Sequence, residues 1–345
     1  MRPRLPATLP LPAVLLLLAA ALAGSAVAGL ALGPVRMAPG EVLRIVVDGE
    51  RTGAYAAIVW DVRMPRVLLG AVVGAGLAVA GTVLQALVRN QLADPFLLGA
   101  SSGASAGAVA VIVLGAGAGI ATSVALPAAA FAGSTFALVA VYALARRGGT
   151  MTTGRLILAG VCVQYILSAL TSLVLVMAAQ AEHLRSIMFW TLGGLGGARW
   201  SELGLPAAAL ALGTGLLLAL ARPLDLLLAG EEGAHTLGLD TGRFRAAVFV
   251  LTSLVVGILV AASGAIGFVG LMVPHAARMA VGSAHRRLLP VAALGGALFL
   301  TLADLAARTV AAPEEIPVGV VTALAGGPFF LWLLRRSQRA EGLTG

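Results

Sequence analysis

PFLLGASSGASAGAVAVIVLGAGAGIATSVALPAAAFAGSTFALVAVYALA, residues 95 to 145, runs from Asp94 to Arg146 without a charge for 51 residues. A helix crossing the hydrocarbon core uses about 20 apolar residues, so a stretch of this length must turn back inside the bilayer. Similar stretches recur to the end of the chain. With 59% hydrophobic residues, 11% charged residues and a mean hydropathy of +1.00, the whole sequence is written for lipid. The expected fold is all-α, a polytopic membrane protein in a single transmembrane domain over residues 1–345.

Working outward from that stretch, charges punctuate the spans. Uncharged runs at Leu5 to Val35 and Val67 to Val88 give two helices. The run from Pro95 to Ala145 divides at Gly115 to Gly119 into two more, followed by Leu156 to Ala181 and Leu203 to Ala221. Ala246 to Ala277 breaks at Ser263-Gly264-Ala265-Ile266-Gly267 into a full helix and a shorter one. Leu288 to Ala303 and Ile316 to Leu334 complete about ten transmembrane helices. Ser186 to Ala198 is too short to span and holds Gly193, Gly194, Gly196 and Gly197, so it reads as a re-entrant or interfacial segment on the outer side. The 44 glycines suit closely packed membrane helices, and Gly99, Gly103 and Gly107, four apart, read as a packing face.

All 23 basic residues are arginine. A chain without lysine has no Walker A phosphate loop and no Schiff-base lysine. A net charge of +8 does not point to nucleic acid, because the arginines sit in short connections between apolar runs. With the N-terminus in the cytoplasm, fifteen arginines fall in inner segments and eight in outer ones, which sets the orientation with both termini cytoplasmic. Arg2, Arg4 and the leucine-rich run ending in Ser25-Ala26-Val27-Ala28 would also pass for a cleavable signal peptide. The uncharged run continues to Val35, long enough to span, and favours a retained helix. The single Cys162 excludes a disulfide framework within one chain.

Ten compact helices suggest transport. Ion-coupled carriers place ionisable groups at mid-membrane, whereas His275, Asp304 and Glu182 lie near span ends, and Gln85 and Gln164 do not titrate. No His-Glu-x-x-His or Gly-x-Ser-x-Gly pattern marks an intramembrane enzyme. His183, His235, His275 and His285 are scattered, which argues against a metal or haem ligand set. The energy source is therefore expected outside this chain.

Several motifs then carry a resemblance. Arg63-Met64-Pro65-Arg66 leads into Gly81-Thr82-Val83-Leu84-Gln85, Asn90-Gln91-Leu92-Ala93-Asp94-Pro95 and Leu98-Gly99-Ala100-Ser101-Ser102-Gly103. The second half holds Gly264-Ala265-Ile266-Gly267-Phe268-Val269-Gly270-Leu271, Pro274-His275, Ala277-Arg278, His285-Arg286-Arg287-Leu288-Leu289-Pro290 and Ile316-Pro317-Val318-Gly319. From about Arg63 onward the chain resembles the FecCD family, the permease subunits of bacterial ATP-binding-cassette (ABC) importers for iron siderophores, haem and cobalamin. Gln91 stands where the family usually has proline, and Gly154 where it often has serine.

The resemblance implies a type II importer permease fold in the bacterial inner membrane. No cofactor is expected in this chain, with ATP and Mg on a separate cytoplasmic ATPase. Further partners implied are a periplasmic or lipoprotein substrate-binding protein and a second permease subunit, identical or closely paralogous. On residues alone, the segment at about 224–240, with Glu231 and Glu232 ahead of Ala234, Leu237 and Gly238, reads as a short capped surface helix. By resemblance it is the coupling helix, with Glu231, Ala234, Leu237 and Gly238 meeting the ATPase. Arg63, Arg66 and Arg308 read blandly as interfacial anchors. By resemblance they receive acidic residues of the binding protein, for which the planar guanidinium fork is suited. Asn90, Leu92 and Thr153 match the inner gate. Iron siderophore leads as cargo, then haem and cobalamin. The competing classes are a stand-alone secondary transporter and a non-transporting scaffold or receptor.

Overall fold

A computed structural model describes residues 10–115, 122–147, 150, 151, 153–177, 187, 188, 190–228 and 230–341. The first helix, α1 (Leu11–Ala31), opens with a proline in its first turn, where the missing N–H costs nothing. Between the first two expected spans the chain builds α2 (Pro39–Val47), whose Val42 and Ile45 face inward. Next come α3 (Ala54–Ala57), a π-helical stretch over Ile58–Arg63 and α4 (Met64–Val88), which run on as one rod. Pro65 cannot donate to the turn before it, and the backbone widens at that place.

Past a 3-10 turn at Pro95–Leu98 lie α5 (Ala100–Gly115) and α6 (Thr122–Ala145), flanking the expected break, which falls outside the described residues. A two-residue antiparallel pair, β1 (Arg146–Arg147) with β2 (Thr150–Met151), leads to α7 (Thr153–Met177). Beyond residues 187–199, α8 (Trp200–Ala219) is followed by two short helices, α9 (Ala221–Leu228) and α10 (Glu231–Thr236). The last four are α11 (Thr241–Ser263), α12 (Val269–Val281), α13 (His285–Ala307) and α14 (Val318–Glu341). Among the described residues seven helices are long and apolar enough to cross a membrane, and three shorter apolar helices accompany them.

In lipid no hydrophobic force drives one helix against another, so close backbone approach has to hold the bundle together. That approach centres on α4, which packs along α11, α12 and α13. A Cβ added to Gly74 would lie 2.2 Å from the carbonyl oxygen of Gly296 on α13. Gly103 and Gly107 form the expected packing face of α5, where added Cβ atoms would lie 2.3 and 2.1 Å from the carbonyls of Gly133 and Ala129 on α6. Gly99 is not part of that face. It precedes the helix, with a left-handed φ of 81°.

Between α11 and α12 the chain leaves helical geometry, from Gly264 to Phe268 at φ 68°. Gly270 meets Gly81, well along α4, so α12 starts deep within the bundle. The glycine-rich segment after residue 186 fills the space left outside it. Gly194 N–H donates to Ser263 O at 2.9 Å, and Leu195 is buried beside Gly70. The segment expected to be re-entrant or interfacial thus packs against the helical break rather than forming a span. Glu182 and His183 lie outside the described residues.

Candidate functional site

At one end of the bundle, α4 and α13 bring together the three arginines singled out in the sequence. Arg66 Nε donates to both Asp304 carboxylate oxygens at 2.9 and 3.1 Å, and its Nη1 reaches both oxygens of Glu315 at 3.0 Å. Arg308, one turn after Asp304, approaches the same carboxylate at 3.5 Å and donates to Gly29 O on α1. Arg63 donates to Leu30 O at 2.5 Å and to Val35 O. Arg63, Arg66 and Arg308 are only 4, 8 and 3% exposed. They do not reach out toward lipid headgroups, because carbonyls at the end of α1 and the carboxylate of Asp304 hold them inside. Arg66 and Arg308 therefore sit against carboxylates and Arg63 against carbonyls, and Glu315, with 39% of its side chain exposed, is the most open part of the cluster. Beside it lies a hollow of about 620 Å³, lined by Leu32, Pro34, Arg36, Leu305, Thr309 and Val310 among others.

The opposite end carries the predicted coupling segment. Acidic residues ahead of a short helix and a glycine behind it are start and stop signals, and α10 obeys them. Gly238 adopts φ 82°, and Leu239 N–H returns to Ala234 O at 3.0 Å, the six-to-one closure of a left-handed cap. Ala234 is fully buried, so it anchors α10 to its own bundle and presents nothing to a partner, whereas Leu237, just past the helix, is 67% exposed. Glu231 begins α10, but its side chain lies outside the described residues, as does that of Thr153, which begins α7.

Near that same end α4 stops at Arg89, which takes a left-handed φ of 51°. Asn90 Oδ1 then accepts from Leu92 N–H at 2.9 Å, and Ala93 N–H donates to Asn90 O at 3.1 Å. The side chain of Asn90 thus closes the turn without the proline that Gln91 replaces. Leu92 is left 51% exposed. Asp94, which the sequence reading passed over, is buried and accepts from Phe96 N–H at 2.8 Å and from the backbone of Phe268. Burial pushes its carboxyl up to about 6, against the pull of those two N–H groups.

Between the ends lies a polar hollow of about 420 Å³. Ser101, Ser102 and Ser105 of α5 and Gln164, Ser168 and Thr171 of α7 contribute hydroxyls and an amide to a lining without a charged side chain. The signal was present in the sequence: Gln164, Ser168, Thr171 and Ser172 recur at the four-three-one spacing of one helix face. Among the described residues no three His, Cys, Asp or Glu side chains converge.

A bundle with seven helices long and apolar enough to cross a membrane, a half-helix starting deep within it and a glycine segment packed over its break belongs to the class of polytopic membrane proteins. Residues 15–336 match the FecCD transport family, and the chain belongs to it. It is 48% identical over 284 residues to the cobalamin import system permease BtuC of Halobacterium salinarum, covering 82% of this chain and 75% of that protein. It is 44% identical to the hemin transport system permease HmuU of Yersinia pestis, covering 81 and 84%. A solved structure of an inward-facing metal-chelate type ABC transporter superposes with a TM-score of 0.83 at 32% identity, covering 94 and 99%. The chain is an ABC transporter permease.

Proposed function

We propose that this chain is the membrane subunit of an importer that carries a metal chelate into the cytoplasm, driven by ATP and Mg on a separate ATPase. The observation that carries this reading is the α9–α10 connection. It is a capped helix packed against its own bundle at Ala234 while Leu237 is offered outward, as a docking element requires. In this reading the α9 end and both termini face the cytoplasm, and Arg66 and its neighbours face out. Asn90, Leu92 and Thr153 form the inner gate at the α9 end. The exposed apolar face of α7, including Tyr165, Ile166, Leu170 and Leu173, is covered by a second permease copy, so that the hollow between α5 and α7 borders a shared path.

The cargo is a bulky chelate. Cobalamin and hemin are named for relatives of 48 and 44% identity, and an iron siderophore is the third member of the class. An uncharged lining of hydroxyls and one amide suits passage, since it offers hydrogen bonds without a fixed charge to trap the cargo. At the outer face, Arg63, Arg66 and Arg308 attract acidic groups of a substrate-binding protein. Support comes from the excess of guanidiniums over carboxylates and from the half-open Glu315, whose place on Arg66 a partner carboxylate can take.

The test is reconstitution with the ATPase and a binding protein, supplying cobalamin, hemin or a ferric siderophore in parallel. Leu237→Arg should abolish ATP-driven uptake, since an unpaired charge in a docked interface costs about 3–5 kcal/mol. Uptake driven by an ion gradient without ATP would return the chain to the secondary-transporter class. Glu315→Gln should tighten binding of the partner about fivefold, because displacing a half-exposed ion pair costs up to about 1 kcal/mol. Unchanged affinity in that variant would remove Arg66 from the docking surface.

A further inference from the structure

We infer that Asp225 is the residue through which the α9–α10 segment positions the transmembrane helices, by acting as the N-terminal cap of α13. The inference rests on the proposed docking of α10 on an ATPase. Helix α13 begins at His285 after Ala284, whose alanine side chain cannot cap. The missing acceptor comes from another element. Asp225 Oδ1, on α9, accepts from His285 N–H at 3.0 Å and faces His285 Nδ1 at 2.5 Å. His285 is 1% exposed and its Nε2 has no hydrogen-bond partner among the described residues, so the carboxylate at Nδ1, an acceptor, draws the ring proton to that side. A negative group at a helix N-terminus also meets the positive end of the helix dipole.

The position of this contact gives it its consequence. Helix α9 buries Ala221, Leu224 and Leu227, packs on α4 and α13, and touches α10. Asp225 is the carboxylate it extends to α13, and its side chain stays 38% exposed. From His285, α13 runs along α4, locked to it at the Gly74–Gly296 approach, and ends in the Asp304 contact with Arg66 and Arg308. A displacement of α10 therefore reaches the far arginines through the apolar packing of α9 on α4 and α13, the polar contact that fixes the start of α13, and one close-packed helix pair. Packed elements of this kind shift as units.

The experiment compares cargo moved per ATP hydrolysed in proteoliposomes containing permease, ATPase and loaded binding protein. Asp225→Ala should leave the ATPase bound and lower that ratio about tenfold, within the usual range of a coupling free energy. Asp225→Glu, which restores the carboxylate, should recover most of it. A ratio like that of the wild type in Asp225→Ala overturns the inference, and so does loss of the bound ATPase, which would make Asp225 part of the docking surface. Should Asp225→Ala not insert, Asp225→Ser, whose shorter side chain falls short of the His285 N–H, is read by the same ratio, and a normal value there overturns the inference equally. Leu237→Arg is run alongside: normal uptake in that variant sinks the docking reading of α10 itself, independently of Asp225.

Discussion

Helices α4 and α7 are each 25 residues long and similarly apolar, yet 83% of the most apolar stretch of the α4 rod is buried against 22% for α7. Composition does not separate them; small residues do. Helix α4 presents Gly70, Gly74, Gly76 and Gly81 to atoms of other elements, at distances where a Cβ would collide or press hard. Helix α7 instead carries Tyr165, Ile166, Leu170, Leu173 and Val176 on an exposed face. In a medium that provides no hydrophobic contrast, the helix whose backbone can be approached most closely becomes the centre, and the helix with large apolar side chains becomes the perimeter or an oligomer contact.

That contrast can be broken at α4 first. Asp304→Ala leaves Arg308 buried without its carboxylate and Arg66 with only the half-exposed Glu315, and should destabilise the detergent-solubilised permease by about 3–5 kcal/mol, read as a lower thermal midpoint. Survival of the variant with an unchanged midpoint would mean that the cluster is hydrated and contributes nothing to packing. Gly74→Ala should cost about 1–3 kcal/mol, because its methyl group would overlap the Gly296 carbonyl. Gly154→Ala on α7 meets nothing within 4 Å and should change stability by less than about 1 kcal/mol. Equal effects at the two glycines would erase the distinction between centre and perimeter.

The smallest effect is expected just beyond the C-terminal end of α4. Asp94 has a folded-state value of about 6, above its ordinary 3.8. Between those values the folded state binds more protons than the unfolded state, so stability falls as pH rises through that window. Relative to the wild type, Asp94→Asn should lose this slope between about pH 4 and pH 6, while its side-chain oxygen still accepts from Phe96 and Phe268. Parallel pH profiles of thermal midpoint in the two proteins would show that Asp94 is hydrated and ionised throughout.

Much of this arrangement was legible in residues. The uncharged runs, bounded by arginine and acid, located the spans. The break at Ser263 to Gly267 marked the end of α11, and Gly238 marked the end of α10, because a left-handed cap has few other solutions. No element was read between Val35 and Val67: α2 and the π-helical entry into α4 carry charges that hide their inward faces, Val42 and Ile45 among them. The site was read less completely than the fold. Arg63, Arg66 and Arg308 were found as types, but their partners were not, since Asp304 and Glu315 lie 238 and 249 residues from Arg66. Ala234 was assigned outward and packs inward, because a helix of six residues is too short for spacing alone to fix its buried side.

The residues alone establish that this chain is a multi-span helical membrane protein and roughly where its long apolar helices lie. Those properties follow from hydropathy, charge and local backbone preference, which act over a few residues. The folded packing adds that α4 is the centre, that Asp304 joins Arg66 to Arg308 and that Asp225 caps α13 across 60 residues of chain. Such pairings depend on which helices approach closely enough to bury a charge, and that choice is made by packing between elements far apart in sequence.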